Sequence, residues 1–266
     1  MAERPVLVAL LGSSNLTVAL PAVLRHLSSY FRNRALSVLV AYGPGRAYEI
    51  DRGSLGIKFT SLSRCELLAA FEQAREEDPS SDAYALLTDI GNDLMHGVPA
   101  PTLAGRVRSI VERFRGAGAR VAVTSLPIEG IAALSPGMFH LARTLVYPAS
   151  RATHDELVSN VGIVQEELRE MDSREEIELL PARRAWYSPD ACHIRPAHSG
   201  EAFREWVDGL VGVDDAIGRG SEPVAHFSKE GLYLHCRPAY RFFRSNGRPH
   251  DARPFAVGPG VTVRAF

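Results

Sequence analysis

The sequence predicts a doubly wound α/β fold, and two observations predict it. Five short apolar runs are spaced along the first 180 residues, and stretches with helical apolar periodicity lie between them. Strand and helix in alternation imply a parallel sheet covered on both faces, because parallel neighbours need crossover connections and helices supply them. The expected architecture is a three-layer sandwich around a five-stranded parallel sheet, with a small β-rich extension at the C-terminal end. At 266 residues the chain suits one large domain with an appendage as well as two domains.

The strands are read at Val6–Leu11, Leu36–Ala41, Ala83–Thr88, Arg120–Thr124 and Ile177–Leu180. Between the first two, Pro21 suits a first helical turn, followed by Val23, Leu24, Leu27 and Phe31 at helical spacing. Ser63 to Glu66 has the pattern of a capping box ahead of Leu67 and Phe71. Leu103, Val107, Ile110, Val111 and Phe114 form the clearest apolar stripe, with Gly116 and Gly118 as stops. A second capping box, Thr153 to Glu156, opens the stripe Leu157, Val161, Val164, Leu168 and Met171. A last helix after Ser199 carries Phe203, Val207 and Leu210 on one side.

The predicted α/β domain spans residues 1–211, a polar linker 212–225, and the extension 226–266. The extension holds seven basic and two acidic residues together with seven aromatics, which argues against disorder. Asn246-Gly247 suits a type I′ hairpin turn, and Pro249 and Pro254 confine any strand there to an edge. Basic residues among aromatics also fit single-stranded nucleic acid. Residues 1–225 hold 23 basic and 29 acidic residues, and a flap docked on that acidic body or on a second subunit is the preferred reading.

Composition narrows the function classes. Apolar residues make up 45% and charged residues 23%, which is ordinary for a globular protein. Thirty basic against thirty-one acidic side chains give the molecule no electrostatic case for gripping nucleic acid. Three scattered cysteines, Cys65, Cys192 and Cys236, match neither a disulfide framework nor a metal motif, which points to a reducing, cytoplasmic setting. Glu3 and Pro5 spoil a signal-peptide reading of the first apolar run, and no stretch is long enough for a membrane span. A small-molecule partner fits best.

In a doubly wound sheet the chemistry sits beyond the carboxyl ends of the strands. Gly12-Ser13-Ser14-Asn15 follows the first strand, Gly43-Pro44-Gly45-Arg46 the second, and Gly91-Asn92-Asp93 the third. Asp190-Ala191-Cys192-His193 precedes the last helix. That ordered set, over about residues 5–211, resembles the SGNH (GDSL-type) hydrolase superfamily. The resemblance implies a flavodoxin-like fold and an esterase that needs no metal or organic cofactor. It matches Ser14 to the nucleophile, with Ser13 as a rival hydroxyl, Asp190 and His193 to its partners, and Ser14, Gly45 and Asn92 to the oxyanion hole, with Gly43 as the second choice for the glycine. Ser13 stands where the family has the aspartate of G-D-S, and Ile90 where it has the first glycine of G-x-N-D.

The residue chemistry agrees with those roles. A serine hydroxyl becomes a competent nucleophile when a base takes its proton, and imidazole titrates in the right range. A carboxylate three residues upstream can hold the imidazole's other nitrogen. Backbone and amide N–H groups stabilise a developing oxyanion. The implied reaction is cleavage of a carboxylic ester, short acyl groups such as acetyl favoured, through an acyl-enzyme. Acyl transfer to an alcohol through the same intermediate is one alternative, and a catalytically silent binding module is another.

Each motif also has a plainer reading. Gly12 to Asn15 alone suits a turn with a helix cap. Asp93 reads as structural, and Asp93-Leu94-Met95-His96 is a second D-x-x-H whose histidine reads as non-catalytic. Asp190, Cys192, His193 and His198 lack a metal-ligand spacing. Arg46 is a candidate anchor for an anionic substrate group. Residues 127–152 form a long connection that either walls the site or packs on the far side of the sheet.

Overall fold

A computed structural model describes residues 3–54, 58–212 and 254–266. Among the described residues, seven strands form one sheet: β1 (Val6–Leu11), β2 (Leu36–Ala41), β3 (Asp82–Leu87), β4 (Arg120–Thr124), β5 (Glu178–Leu180), β6 (Phe255–Gly258) and β7 (Val261–Ala265). Their order is β5-β4-β3-β1-β2-β7-β6. Every neighbouring pair is parallel except β6–β7. The helices are α1 (Ser14–Tyr30), α2 (Leu67–Glu77), α3 (Asn92–Met95), α4 (Ala100–Gly116), α5 (Ile128–Ala132), α6 (Pro136–Val146), α7 (His154–Ser173) and α8 (Pro196–Val211). None of the described helices is long and apolar enough to cross a membrane.

The doubly wound arrangement follows from the side-chain alternation of the central strand. All six residues of β1 are buried, as expected of a strand covered on both faces. Leu7, Ala9 and Leu11 pack into one core with Phe71, Phe114 and Leu168 of α2, α4 and α7. Val6, Val8 and Leu10 pack into the other with Leu20 and Val23 of α1 and Trp206 and Leu210 of α8. The chain winds outward from β1 in both directions, to β2 on one side and β3 on the other. The switch point of the winding therefore lies between β1 and β3, at the sheet's carboxyl edge.

One expectation is corrected. The sheet has two strands beyond the expected five, because the C-terminal pair extends it. β7 pairs in parallel with β2, Leu36 opposite Val261, and β6 closes the edge behind Pro254. The rest of the 212–225 linker after Gly212, and the Asn246-Gly247 turn, lie outside the described residues.

Helix α1 begins at Ser14 and carries Pro21 in its interior. Its start is set by a distant carboxylate: Asp89 Oδ2 accepts hydrogen bonds from the main-chain N–H of Ser13 (2.7 Å) and Leu16 (3.3 Å). No local capping pattern encodes that contact. The Ser63–Glu66 box does not form either; α2 starts at Leu67 with Glu66 as its cap residue and no side-chain capping bond. The Thr153–Glu156 box is present with both its reciprocal bonds.

Candidate active site

The turn from β1 into α1 presents two serines in different ways. Gly12 lets the ends of β1 and β3 close up, since a Cβ there would collide with Thr88 Oγ1. Ser13 is fully buried and donates its hydroxyl to Gly43 O at 3.1 Å. Ser14 is only partly buried, and its Oγ accepts a hydrogen bond from the Gly45 N–H at 3.2 Å. Of the two neighbouring residues, Ser14 is the one that is not fully buried.

Gly45 reaches Ser14 because it lacks a side chain. Its φ is +66°, in the left-handed region, and a Cβ would overlap the nitrogen and hydroxyl of Ser54. The next residue corrects an expectation. Arg46 is not an exposed loop side chain; it is 3% exposed, and its guanidinium donates to the carbonyls of Thr60 (2.8 Å), Tyr42 (3.2 Å) and Phe266 (2.7 Å). Those main-chain acceptors hold it inside the protein, where it braces the Gly45 loop against the end of β7.

Asp190 and His193 meet through a tight turn. Asp190 Oδ1 accepts from Ser188 Oγ (2.6 Å) and from the N–H groups of Cys192 and His193 (both 3.0 Å). Its Oδ2 lies 2.7 Å from His193 Nδ1. Burial alone would raise the Asp190 pKa, but the bonds from His193, Ser188 and the turn's N–H groups outweigh it and hold the carboxyl well below its ordinary range. The same bond from Asp190 raises the pKa of His193 against the opposing effect of burial. Burial pushes the neighbouring Cys192 thiol up to about 12, so it stays protonated.

Asn15 joins this turn to α1. Its Oδ1 accepts from Ile194 N–H and its Nδ2 donates to Cys192 O, so it holds the main chain on either side of His193. Ser14 and His193 are not hydrogen-bonded to each other. They are carried by two segments that Asn15 fastens together.

Asn92 opens α3, and Tyr147 donates its hydroxyl to Asn92 Oδ1 at 2.7 Å. Residues 127–152 thus come to the functional edge, resolving the choice that the sequence left open. A cavity of about 50 Å³ lies beside Asn92, with Asn15, Asp89, Leu126, Ile131 and Leu157 in its wall. The second D-x-x-H does not form an acid–imidazole pair: Asp93 accepts from the N–H of Tyr48 (2.6 Å) and Glu49 (2.8 Å). Burial raises the pKa of Asp93 to about 6 despite these bonds.

Sequence reasoning did not single out Asp89. Its φ is +63°, and besides capping α1 it accepts from Asn15 Nδ2 at 2.6 Å. The available signal was an acid immediately after a buried apolar strand, at the edge where chemistry is expected. Among the described residues, no three His, Cys, Asp or Glu side chains gather as metal ligands.

No protein-family model matches the sequence, and no curated protein matches it. Among solved structures, the chain is similar to the psychrotrophic esterase EstA from Pseudoalteromonas sp., with a TM-score of 0.44 and 10% identity, over 76% of this chain and 96% of that one. It is also similar to TesA, with a TM-score of 0.44 and 14% identity, over 77% of this chain and 97% of that one.

Proposed function

We propose that the protein is a serine-dependent hydrolase of carboxylic esters, acting through an acyl-enzyme in the manner of the SGNH hydrolases it resembles. Ser14 Oγ attacks the ester carbonyl while His193 takes its proton. Asp190 holds Nδ1 of that imidazole, so Nε2 is the nitrogen that serves Ser14. The main-chain N–H of Ser14 and Gly45 and the Asn92 amide receive the developing oxyanion. His193 then protonates the departing alcohol and activates water to release the acyl group.

The observation that carries this reading is the convergence of a glycine N–H and an Asp–His pair on the N-terminus of α1. The first is bonded directly to Ser14 Oγ, and the second is tethered to the adjacent Asn15. Catalytic hydrogen bonds in unliganded enzymes are often long and tighten with substrate bound, so the unbonded Ser14 and His193 are compatible with the role. The His193 side chain is 42% exposed, which gives an acceptor from solution a path to the base.

Labelling with a fluorophosphonate tests the proposal. Stoichiometric modification of wild type, lost in Ser14→Ala and kept in Ser13→Ala, is the expected result. An unreactive, folded wild type would reject it in favour of a binding module.

A further inference from the structure

We propose that Tyr147 and His96 form a bracket that fixes the two oxyanion donors, Gly45 and Asn92, relative to each other. Tyr147 is then a positioning residue for the reaction proposed above, on which this inference rests. Gly45 follows β2 and Asn92 follows β3, with β1 between those strands, so the sheet alone does not set the distance between their loops. Tyr147 arrives from the far end of α6, 5% exposed, and its hydroxyl donates to Asn92 Oδ1. Its ring meets the His96 ring edge to face, with centroids 4.8 Å apart and planes at 81°. His96 Nε2 in turn lies 3.4 Å from Gly45 O, where only the protonated nitrogen of the ring can serve as donor. The path runs from one donor's carbonyl, through two rings, to the other donor's side chain.

The hydroxyl selects an orientation as well as a position. A primary amide can turn either its oxygen or its NH2 toward a ligand, and the oxygen would repel a growing negative charge. A phenol bonded to Oδ1 holds the oxygen back and leaves the NH2 for the ligand. Burial keeps the phenol protonated and therefore a donor. The bracket also gives a use to the second D-x-x-H, whose histidine is not paired with its own aspartate.

The test is turnover of p-nitrophenyl acetate. Tyr147→Phe keeps the ring against His96 and removes only the hydroxyl. It should lower kcat about tenfold with KM little changed, as expected when an interaction of the transition state is weakened. In an Asn92→Ala background the same substitution should have no further effect, because the two residues act as one unit. His96→Gln, which can still donate to Gly45 O, should retain more activity than His96→Ala. Full kcat in Tyr147→Phe, or losses that multiply in the double variant, would overturn the bracket while leaving the hydrolase reading intact. If wild type itself neither turns over nor labels, the hydrolase reading falls, and crystal structures decide the bracket. An Asn92 amide unmoved in Tyr147→Phe would then overturn it too.

Discussion

Asn15 holds the main chain on both sides of His193, accepting from Ile194 N–H at 2.9 Å and donating to Cys192 O at 3.1 Å. Because Asn15 is the neighbour of Ser14, one side chain ties the proposed nucleophile's helix to the proposed base's turn, across 178 positions of sequence. Both partners are main-chain groups, so the contact fixes the turn whichever side chains it carries. Asn15→Ala should leave a buried N–H and carbonyl unpaired, costing about 1–3 kcal/mol for each unsatisfied group. Thermal melting should show that loss, and fluorophosphonate labelling of Ser14 should slow by more than the lost folded fraction explains. Labelling at the wild-type rate would mean that the turn is held by other means.

Gly45→Ala should be severe in activity and milder in stability. The added Cβ meets Ser54 at a left-handed backbone position, and no rotamer avoids a clash with main chain. The loop must move, taking with it the N–H now bonded to Ser14 Oγ. Loss of an oxyanion donor lowers rates by about a hundred- to a thousandfold, and kcat for p-nitrophenyl acetate should fall into that range. Activity within about threefold of wild type would remove Gly45 from the proposed oxyanion hole.

Across the His193 titration, the Asp190–His193 pair makes activity and stability run in opposite directions with pH. The His193 pKa is raised above its ordinary 6.5, so the pair's stabilisation is complete below 6.5 and is lost as pH rises through the folded value. The Asp190 pKa is lowered below 3.8, so its share is present above 3.8 and is lost as pH falls through the folded value. The proposed catalysis needs the neutral imidazole and should climb along a limb centred above pH 6.5. Asp190→Asn should move that limb to lower pH and reduce its plateau. A kcat/KM limb centred below 6.5 in wild type would contradict the pairing.

Much of this was legible in the sequence because it is encoded locally. Val6 to Leu11 announces a doubly buried strand through its own apolar run, and Thr153 and Glu156 form their capping box from a four-residue pattern. The motif residues Ser14, Gly45, Asn92, Asp190 and His193 all fall at the sheet's carboxyl edge or the turn before α8, as the alternation implied. What escaped is carried by contacts between distant segments. The start of α1 depends on Asp89, 76 positions beyond Ser13. The inward turn of Arg46 depends on Tyr42, Thr60 and Phe266, of which only the first two are near it in sequence. No local pattern states that a loop arginine will find three carbonyls, or that β7 will pair with β2.

The contact between Arg46 and Phe266 predicts a role for β7 in the site. Deleting residues 254–266 would expose the edge of β2, whose residues Leu36 to Val40 pair with Val261 to Ala265, and would free one guanidinium N–H of Arg46. The Gly45 loop should then loosen. Stability and kcat should both fall, and Arg46→Ala in the full chain should reproduce the kinetic part. A truncated protein with wild-type kcat would separate β7 from the site.

Asp89 offers the most discriminating substitution, because asparagine keeps its shape and tolerates its left-handed backbone. Asp89→Asn therefore isolates charge and acceptor number. One carboxylate oxygen faces the Ser13 and Leu16 N–H groups and the other faces Asn15 Nδ2, so an amide NH2 opposes a donor whichever way it is turned. The lost bond should lower stability by about 1–3 kcal/mol, visible as a lower melting temperature. The Asp89 charge also raises the pKa of His193, so its removal should shift the activity limb toward lower pH, in the same direction as Asp190→Asn and by less. Melting temperature and pH profile are independent readouts of the two effects. If the melt shifts and the pH limb does not, Asp89 serves only to start α1; if neither moves, the distant cap has no energetic weight.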